Sequence, residues 1–391
     1  MTSRDDVRHS LFRRFKRYLV TASAGAAVLA AAVLPAQAAV SSTSDAVPGF
    51  NGKVLATAYL GNTIYVGGDF TAAIVNGKQI ARTRLAAIDA TTGELLPWAP
   101  TADARVKAIA VSGTSVYVAG QFTYVSGLKR DSLAKLDATS GAVASTFKHT
   151  IYGQPYALAA DNGRLYLGGA ITQVNGSLRT RLAAFNLTSG VLDAAWKPAV
   201  DDQVETITSA GSRLYVGGKF HKVNNTSGYD RLVALDPSSG AIVTSFKPRP
   251  PVIAYGIAVT ADSVYSAHGG QGGKLYAYTT TGALRWTAAF DGDAQAVATL
   301  GDTIYVGGHF DNACRSVRTG DQGVCLDGSD PRVKLAALDA ADGHLLSWTA
   351  DANGVEGVLT MARHEGLGAI LAGGAFTYIN GKSQKRLAQF R

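Results

Sequence analysis

Cysteine is nearly absent from this chain: there are two in 391 residues, Cys314 and Cys325. No zinc-ligand spacing and no P-loop occurs, and no G-x-S-x-G elbow presents a hydrolase nucleophile. After residue 38 there is no basic run, which removes the usual footprint of a nucleic-acid partner. No stretch beyond the N-terminal segment is long and apolar enough to span a bilayer. Amphipathic helical periodicity is also missing from residue 39 onward. What remains is a chain with 44 glycines and 47% hydrophobic residues, and only 17% charged ones.

The N-terminus reads as a targeting segment. Arg8, Arg13, Arg14, Lys16 and Arg17 precede an apolar stretch from Tyr18 to Leu34, and Ala36-Gln37-Ala38 forms an A-x-A cleavage site. The expectation is a signal peptide over 1–38, cleaved near Ala38, and a secreted mature chain over 39–391. Arg13-Arg14 fits an ordinary basic n-region, taken here in preference to twin-arginine export. Residues 1–38 hold six Lys/Arg and two Asp/Glu, so the formal charge would fall from +8 to +4 on cleavage. In an exported protein, an even cysteine pair at short separation predicts a Cys314–Cys325 disulfide. Closing a loop of about twelve residues would contribute roughly 3 kcal/mol in the chain-entropy picture.

One pattern recurs seven times. Its first landmark is Tyr65-Val-Gly-Gly-Asp-Phe70, repeated from Tyr117, Tyr166, Tyr215, Tyr305 and Leu371, with a degenerate copy at Tyr265-Ser-Ala-His268. Its second is Leu-Ala-x-apolar-Asp, beginning at Leu85, Leu133, Leu182, Leu232, Leu275, Leu335 and Leu387. A turn then ends at Gly93, Gly141, Gly190, Gly240, Gly282 or Gly343, and an aromatic follows: Trp98, Phe147, Trp196, Phe246, Trp286 or Trp348. Four short strands per repeat of about fifty residues predict an all-β fold, a seven-bladed β-propeller of four-stranded antiparallel blades. In the second repeat the strands fall near 106–111, 115–121, 133–137 and 142–147. The last repeat stops after its third strand. Residues 40–46 are therefore expected to pair with 387–391 and close the ring.

The Tyr-Val-Gly-Gly-x-Phe and Leu-Ala-Ala-x-Asp-x-Thr-Gly motifs over 50–391 resemble those of secreted actinobacterial β-propellers of the delta-sixty-like family. That resemblance implies architecture and no particular activity. The repeat is also similar to that of quinoprotein dehydrogenases, through Ala87-Ile-Asp89, Gly93 and Trp98. It implies an inter-blade lock and not a bound quinone. Seven units stand where those enzymes usually have eight, and their adjacent-cysteine disulfide is missing, so PQQ is not expected.

Positions that recur serve the fold; positions that vary are free for function. The residue before each Leu-Ala is basic in six of seven repeats: Arg84, Arg181, Arg231, Lys274, Lys334 and Arg386, with Ser132 the exception. Recurrence points to a structural contact, expected to an aspartate such as Asp103, Asp201 or Asp351, over a cationic ring. The x of Gly-Gly-x-Phe varies, and Asp69, Gln121, Lys219 and His309 become ligand-binding candidates. His268, Asp291, Asp293 and Asp311 join them as a candidate divalent-metal or acid–base cluster around His309. The insertion 311–332, with Arg315 and Arg318, could cap the ligand face. No catalytic residue is assigned. The leading expectation is a monomeric extracellular module binding a glycan, peptide or protein, without nucleic acid or a membrane span. The alternatives are a metal-assisted lyase or hydrolase, a quinone-dependent dehydrogenase, or a purely structural protein.

Overall fold

The computed structural model describes residues 39–391, and the expected targeting segment lies outside them. The core of each repeat folds as an antiparallel sheet. The first pairs Val54–Leu60 with Thr63–Gly68, and Thr63–Gly68 with Leu85–Asp89. The same order recurs in sheets beginning at Val106–Ser112, Pro155–Asp161, Val204–Ala210, Ala294–Leu300 and Val358–His364. The fifth sheet runs Ile253–Val259, Ser263–Gly269, Gly273–Thr279, Leu284–Phe290, then outward to Asn312–Cys314 and Ser329–Pro331. Among the described residues the only helical turns are two three-residue 3-10 segments. No described helix is long and apolar enough to cross a membrane.

The first strand of each sheet packs on the first strand of the next, and Val358–His364 of the seventh returns to Val54–Leu60 of the first. The glycine pair makes this approach possible. A Cβ on the first glycine would meet the neighbouring sheet: Gly67 lies against Val106, Gly168 against Val204, Gly307 against Val358, and Gly373 against Val54. A Cβ on the second would strike its own sheet's first strand. At Gly68 it would lie 2.0 Å from the Lys53 carbonyl oxygen, and at Gly308 2.0 Å from that of Asp293.

The recurring aromatics pack across the same seams. Each strand-two tyrosine meets the aromatic of its own repeat, as in Tyr65–Trp98 and Tyr305–Trp348. The hydroxyls of Tyr65, Tyr166 and Tyr265 donate to the carbonyls of Ala138, Pro237 and Ala340, each one residue past the turn aspartate of the next sheet. The seventh sheet has Leu371 in place of that tyrosine. Its buried Gln389 supplies the same bond, Nε2 donating to the Ala90 carbonyl at 2.8 Å while Oε1 accepts from the Tyr59 hydroxyl. Gln389→Leu is expected to cost about 2–3 kcal/mol, because it strands a buried carbonyl and a half-buried hydroxyl. Denaturant unfolding measures this, and a loss under about 0.5 kcal/mol would remove the role.

The N-terminal segment lies along the seventh sheet. Ser44 bridges Phe390, Ser41 N donates to the Arg391 carbonyl, and Asp45 N donates to that of Gln389. Asp45 also pairs with the Arg391 guanidinium at 2.7 Å.

Two features depart from the sequence expectation. A continuous fourth strand exists only in the fifth sheet. Elsewhere it shrinks to single bridges, Ile88–Leu95, Leu136–Val143, Phe185–Leu192, Leu235–Ile242 and Leu338–Leu345. Past the bridge the chain leaves the ladder, and its aromatic packs at the next sheet's turn, where Trp98 Nε1 donates to the Asp137 carbonyl, as Trp286 of the continuous fifth-sheet strand donates to that of Ala340. The second departure is a small hairpin between strands two and three. Examples are Ala72–Val75 with Lys78–Ala81, and Gln173–Val174 with Ser177–Leu178. Asn76-Gly77, Asn175-Gly176 and Asn380-Gly381 turn these hairpins at positive φ.

Candidate functional site

Every first strand contains one β-bulge, and all seven lie at the same level. Pairing skips one residue between Val54 and Ala56, Val106 and Ala108, Pro155 and Ala157, and Val204 and Thr206. It skips again between Ala254 and Gly256, Ala294 and Ala296, and Val358 and Thr360. A bulge re-aims the extra side chain away from the pleat. The seven re-aimed residues are Leu55, Lys107, Tyr156, Glu205, Tyr255, Gln295 and Leu359. All seven line one cavity of about 330 Å³, with Lys53, Asp69, Arg105 and Glu356 at its rim. The second glycine of each Gly-Gly belongs to this device, since it lies under the carbonyl just before the bulge, as Gly120 does under Arg105 and Gly218 under Gln203.

The polar groups around the cavity are mostly paired. Lys53 bonds Glu356 at 2.5 Å. Asp69 accepts from Lys53 N and lies 3.8 Å from Arg105. Glu205 accepts from Gln203 Nε2 at 2.6 Å and faces Lys219 at 3.4 Å. Tyr156 donates to Gln154, which also accepts from Gln121. Burial, followed by the nearby Arg105 charge, pulls the Lys107 ammonium below its ordinary pKa, with Glu205 acting the other way. Burial, then Asp293 and Glu205, pushes the Tyr255 hydroxyl up.

The residues singled out in the sequence are placed as follows. Asp69 lines the cavity, Lys219 touches it through Glu205, and Gln121 is linked to it only through Gln154 and then Tyr156. Asp293 accepts from Gly270 N at 2.9 Å. Asp291 is fully engaged, accepting from the amides of Asp311 and Asn312 and from the Asn312 side chain. Asp311 pairs with Lys334 at 2.7 Å. His309 is exposed, and His268 is wholly buried between the Val252 carbonyl and the Ser266 hydroxyl. Among the described residues no three His, Cys, Asp or Glu side chains are gathered as a metal ion requires.

Cys314 and Cys325 are disulfide-bonded, and the insertion extends the outer edge of the fifth sheet without lining the cavity. Arg315 and Arg318 are held within it by Asp330 and Asp327. The recurrent basic residues do not contact Asp103, Asp201 or Asp351. Arg84, Arg181 and Arg231 instead donate to carbonyls at the end of strand two, namely those of Asp69, Ile171 and Lys219. Asp103 and Asp201 accept from hairpin amides.

A larger hollow of about 660 Å³ lies by Ala46–Pro48, where the N-terminal segment presents alanine at the position of the seam aromatic. Of the two, only the smaller cavity receives a side chain from every sheet, which makes it the candidate site.

Sheets repeated in this way, with one inward-aimed residue each, define a β-propeller with an axial pocket. Comparison with solved structures gives the same fold. U3-55K matches with TM-score 0.59 at 11% identity, over 91% of this chain and 99% of that one. The WD40 β-propeller domain of Doa1 matches with TM-score 0.56 at 10% identity, over 90% and 95%. The computationally designed Ika8 protein matches with TM-score 0.50 at 12% identity, over 89% and 99%. The family model described as "Outer membrane protein assembly factor BamB" matches residues 27–240 and 228–367, and the chain belongs to that family. No curated protein matches it.

Proposed function

We propose that this chain is an exported, non-catalytic binding protein that holds a glycan, peptide or protein in the axial pocket of a seven-bladed ring. Seven bulges aimed into one cavity are the observation that carries this reading. The bulge itself recurs with the fold, but the residue it aims inward differs in chemistry around the ring, from Leu55 through Lys107 and Glu205 to Gln295, and that variation over one cavity is what a ligand site uses. Most polar groups there are spent on one another, which suits recognition better than turnover. The family's description as an assembly factor agrees with a binding role. Support for ring closure comes from the seventh-to-first strand contact, the Gln389–Ala90 bond and the Ser44–Phe390 bridge. Support for export comes from the basic and apolar N-terminal segment with its Ala36-Gln37-Ala38 site.

The test is a screen of glycans, peptides and secreted proteins against the purified chain, repeated with Leu55→Trp and Leu359→Trp, which fill the cavity. A bound partner is expected to lose at least about tenfold in affinity when the cavity is filled, roughly 1.4 kcal/mol or more. Binding indifferent to both variants, or turnover of a polysaccharide or alcohol, would sink the proposal.

A further inference from the structure

Lys107 is the exception to the pairing around the cavity. The other three cations there, Lys53, Arg105 and Lys219, each have a carboxylate within 4 Å. Among the described residues Lys107 has none. Its ammonium lies 5.7 Å from the centre of the Tyr156 ring. A half-buried cation left this way holds a place for an anionic group, and the neighbouring Arg105 reinforces it. The rest of the circle is different in kind. Glu205, Tyr255 and Gln295 supply acceptors and donors spaced around the wall, and the Leu55 and Leu359 side chains close it.

From this arrangement we infer that the pocket takes an acidic sugar, a pyranose bearing a carboxylate, with the carboxylate on Lys107 and the ring hydroxyls on Glu205, Gln295 and Tyr255. The inference rests on the binding reading above. A pyranose presents hydroxyls all around its edge, and here the hydrogen-bonding side chains likewise run around a circle. The tyrosine rings offer apolar faces of the kind a sugar ring stacks on. The end of a peptide chain would place its carboxylate on Lys107 equally well. Its amide backbone, however, asks for a line of partners along one direction, which a circular wall does not offer.

The test is titration of the full chain, at low and at moderate salt, with short uronic-acid oligosaccharides and with neutral counterparts that carry a hydroxymethyl group instead. Peptides with free and with amidated C-termini form a third arm. The expected result is binding of the uronic acid at least about tenfold tighter than the neutral sugar, falling with salt. Lys107→Met should remove that preference, and Glu205→Gln, by deleting a negative charge across the cavity, should strengthen uronate binding a few-fold. The two variants act in opposite directions, so a general loss of folding does not imitate the pattern. Equal binding of acidic and neutral sugars overturns the inference and leaves the binding reading intact. Lys107-dependent binding of free C-termini without sugar binding also overturns it, as does no binding in any arm. The binding reading itself fails on other results, namely filled-cavity variants that change nothing in the broad screen, or turnover of a polysaccharide or alcohol.

Discussion

Gly308→Ala will destabilise the chain by about 3 kcal/mol or more, whereas Gly61→Ala will cost about 1 kcal/mol. Gly308 does not have positive φ, so a rule based on backbone freedom would rank the two the other way. Gly61 has φ 52°, and nothing lies within 4 Å of the place a methyl would take there. At Gly308 the methyl would lie 2.0 Å from the Asp293 carbonyl oxygen and 3.1 Å from Ala294 Cα. Both are main-chain atoms at the entry to the first strand, so no rotamer relieves the overlap. The strand must move instead, and the Gln295 bulge moves with it. Thermal or denaturant unfolding of the two variants checks the ranking, and a ligand titration checks the pocket. Equal costs would mean that glycine and bulge are independent features.

That coupling explains what was legible in the sequence. Tyr-Val-Gly-Gly and the apolar positions of Leu-Ala-x-apolar-Asp mark buried residues copy after copy, so seven repeats state the sheet pattern seven times. The Asn-Gly turns at 76–77, 175–176 and 380–381 were equally readable hairpin signals, hidden because the strands they join are only two to four residues long. The shortened fourth strand was harder to foresee. The alternation around Val143 looks like a strand, but only the Leu136–Val143 bridge forms, and Phe147 packs on Phe185 of the neighbouring sheet, a partner far away in sequence.

The pocket residues were hidden for a different reason. Leu55, Lys107, Tyr156, Glu205, Tyr255, Gln295 and Leu359 share no chemistry, and a β-bulge has no composition of its own. Their one sequence signal is place: each lies thirteen residues before the second glycine position of its repeat, or fifteen in the seventh. Variation among the repeats points instead to the residue after the glycines, and so it locates the rim residue Asp69 and, one layer out, Lys219 and Gln121. The His309 cluster stood out through residue type alone. In the fold Asp291 caps a hairpin, and His268 stands where the other repeats have their second glycine.

His268 makes the chain acid-sensitive in a particular window. Its Nδ1 donates to the Val252 carbonyl at 2.9 Å, which fixes the neutral tautomer, and Nε2 then accepts from Ser266 at 2.7 Å. Burial pulls its pKa down to about 4, opposed only by the Val252 bond. The unfolded chain, with an ordinary histidine pKa near 6.5, therefore binds a proton that the folded chain refuses. Stability is full above about pH 6.5 and falls as pH drops toward 4, by a total on the order of 3 kcal/mol. Burial also lowers the pKa of His149, which adds to the loss in the same direction. The turn carboxylates Asp89, Asp137 and Asp236 are held below their usual range by backbone amide bonds, so their contribution fades only at lower pH. Urea unfolding measured from about pH 7 to about 4.5 separates the two groups. His268→Gln keeps hydrogen-bonding capacity without titrating, and it should flatten the slope in that interval even if it lowers stability at neutral pH. A flat wild-type profile over the interval, or an unchanged slope in the variant, would show that His268 does not set the acid limit.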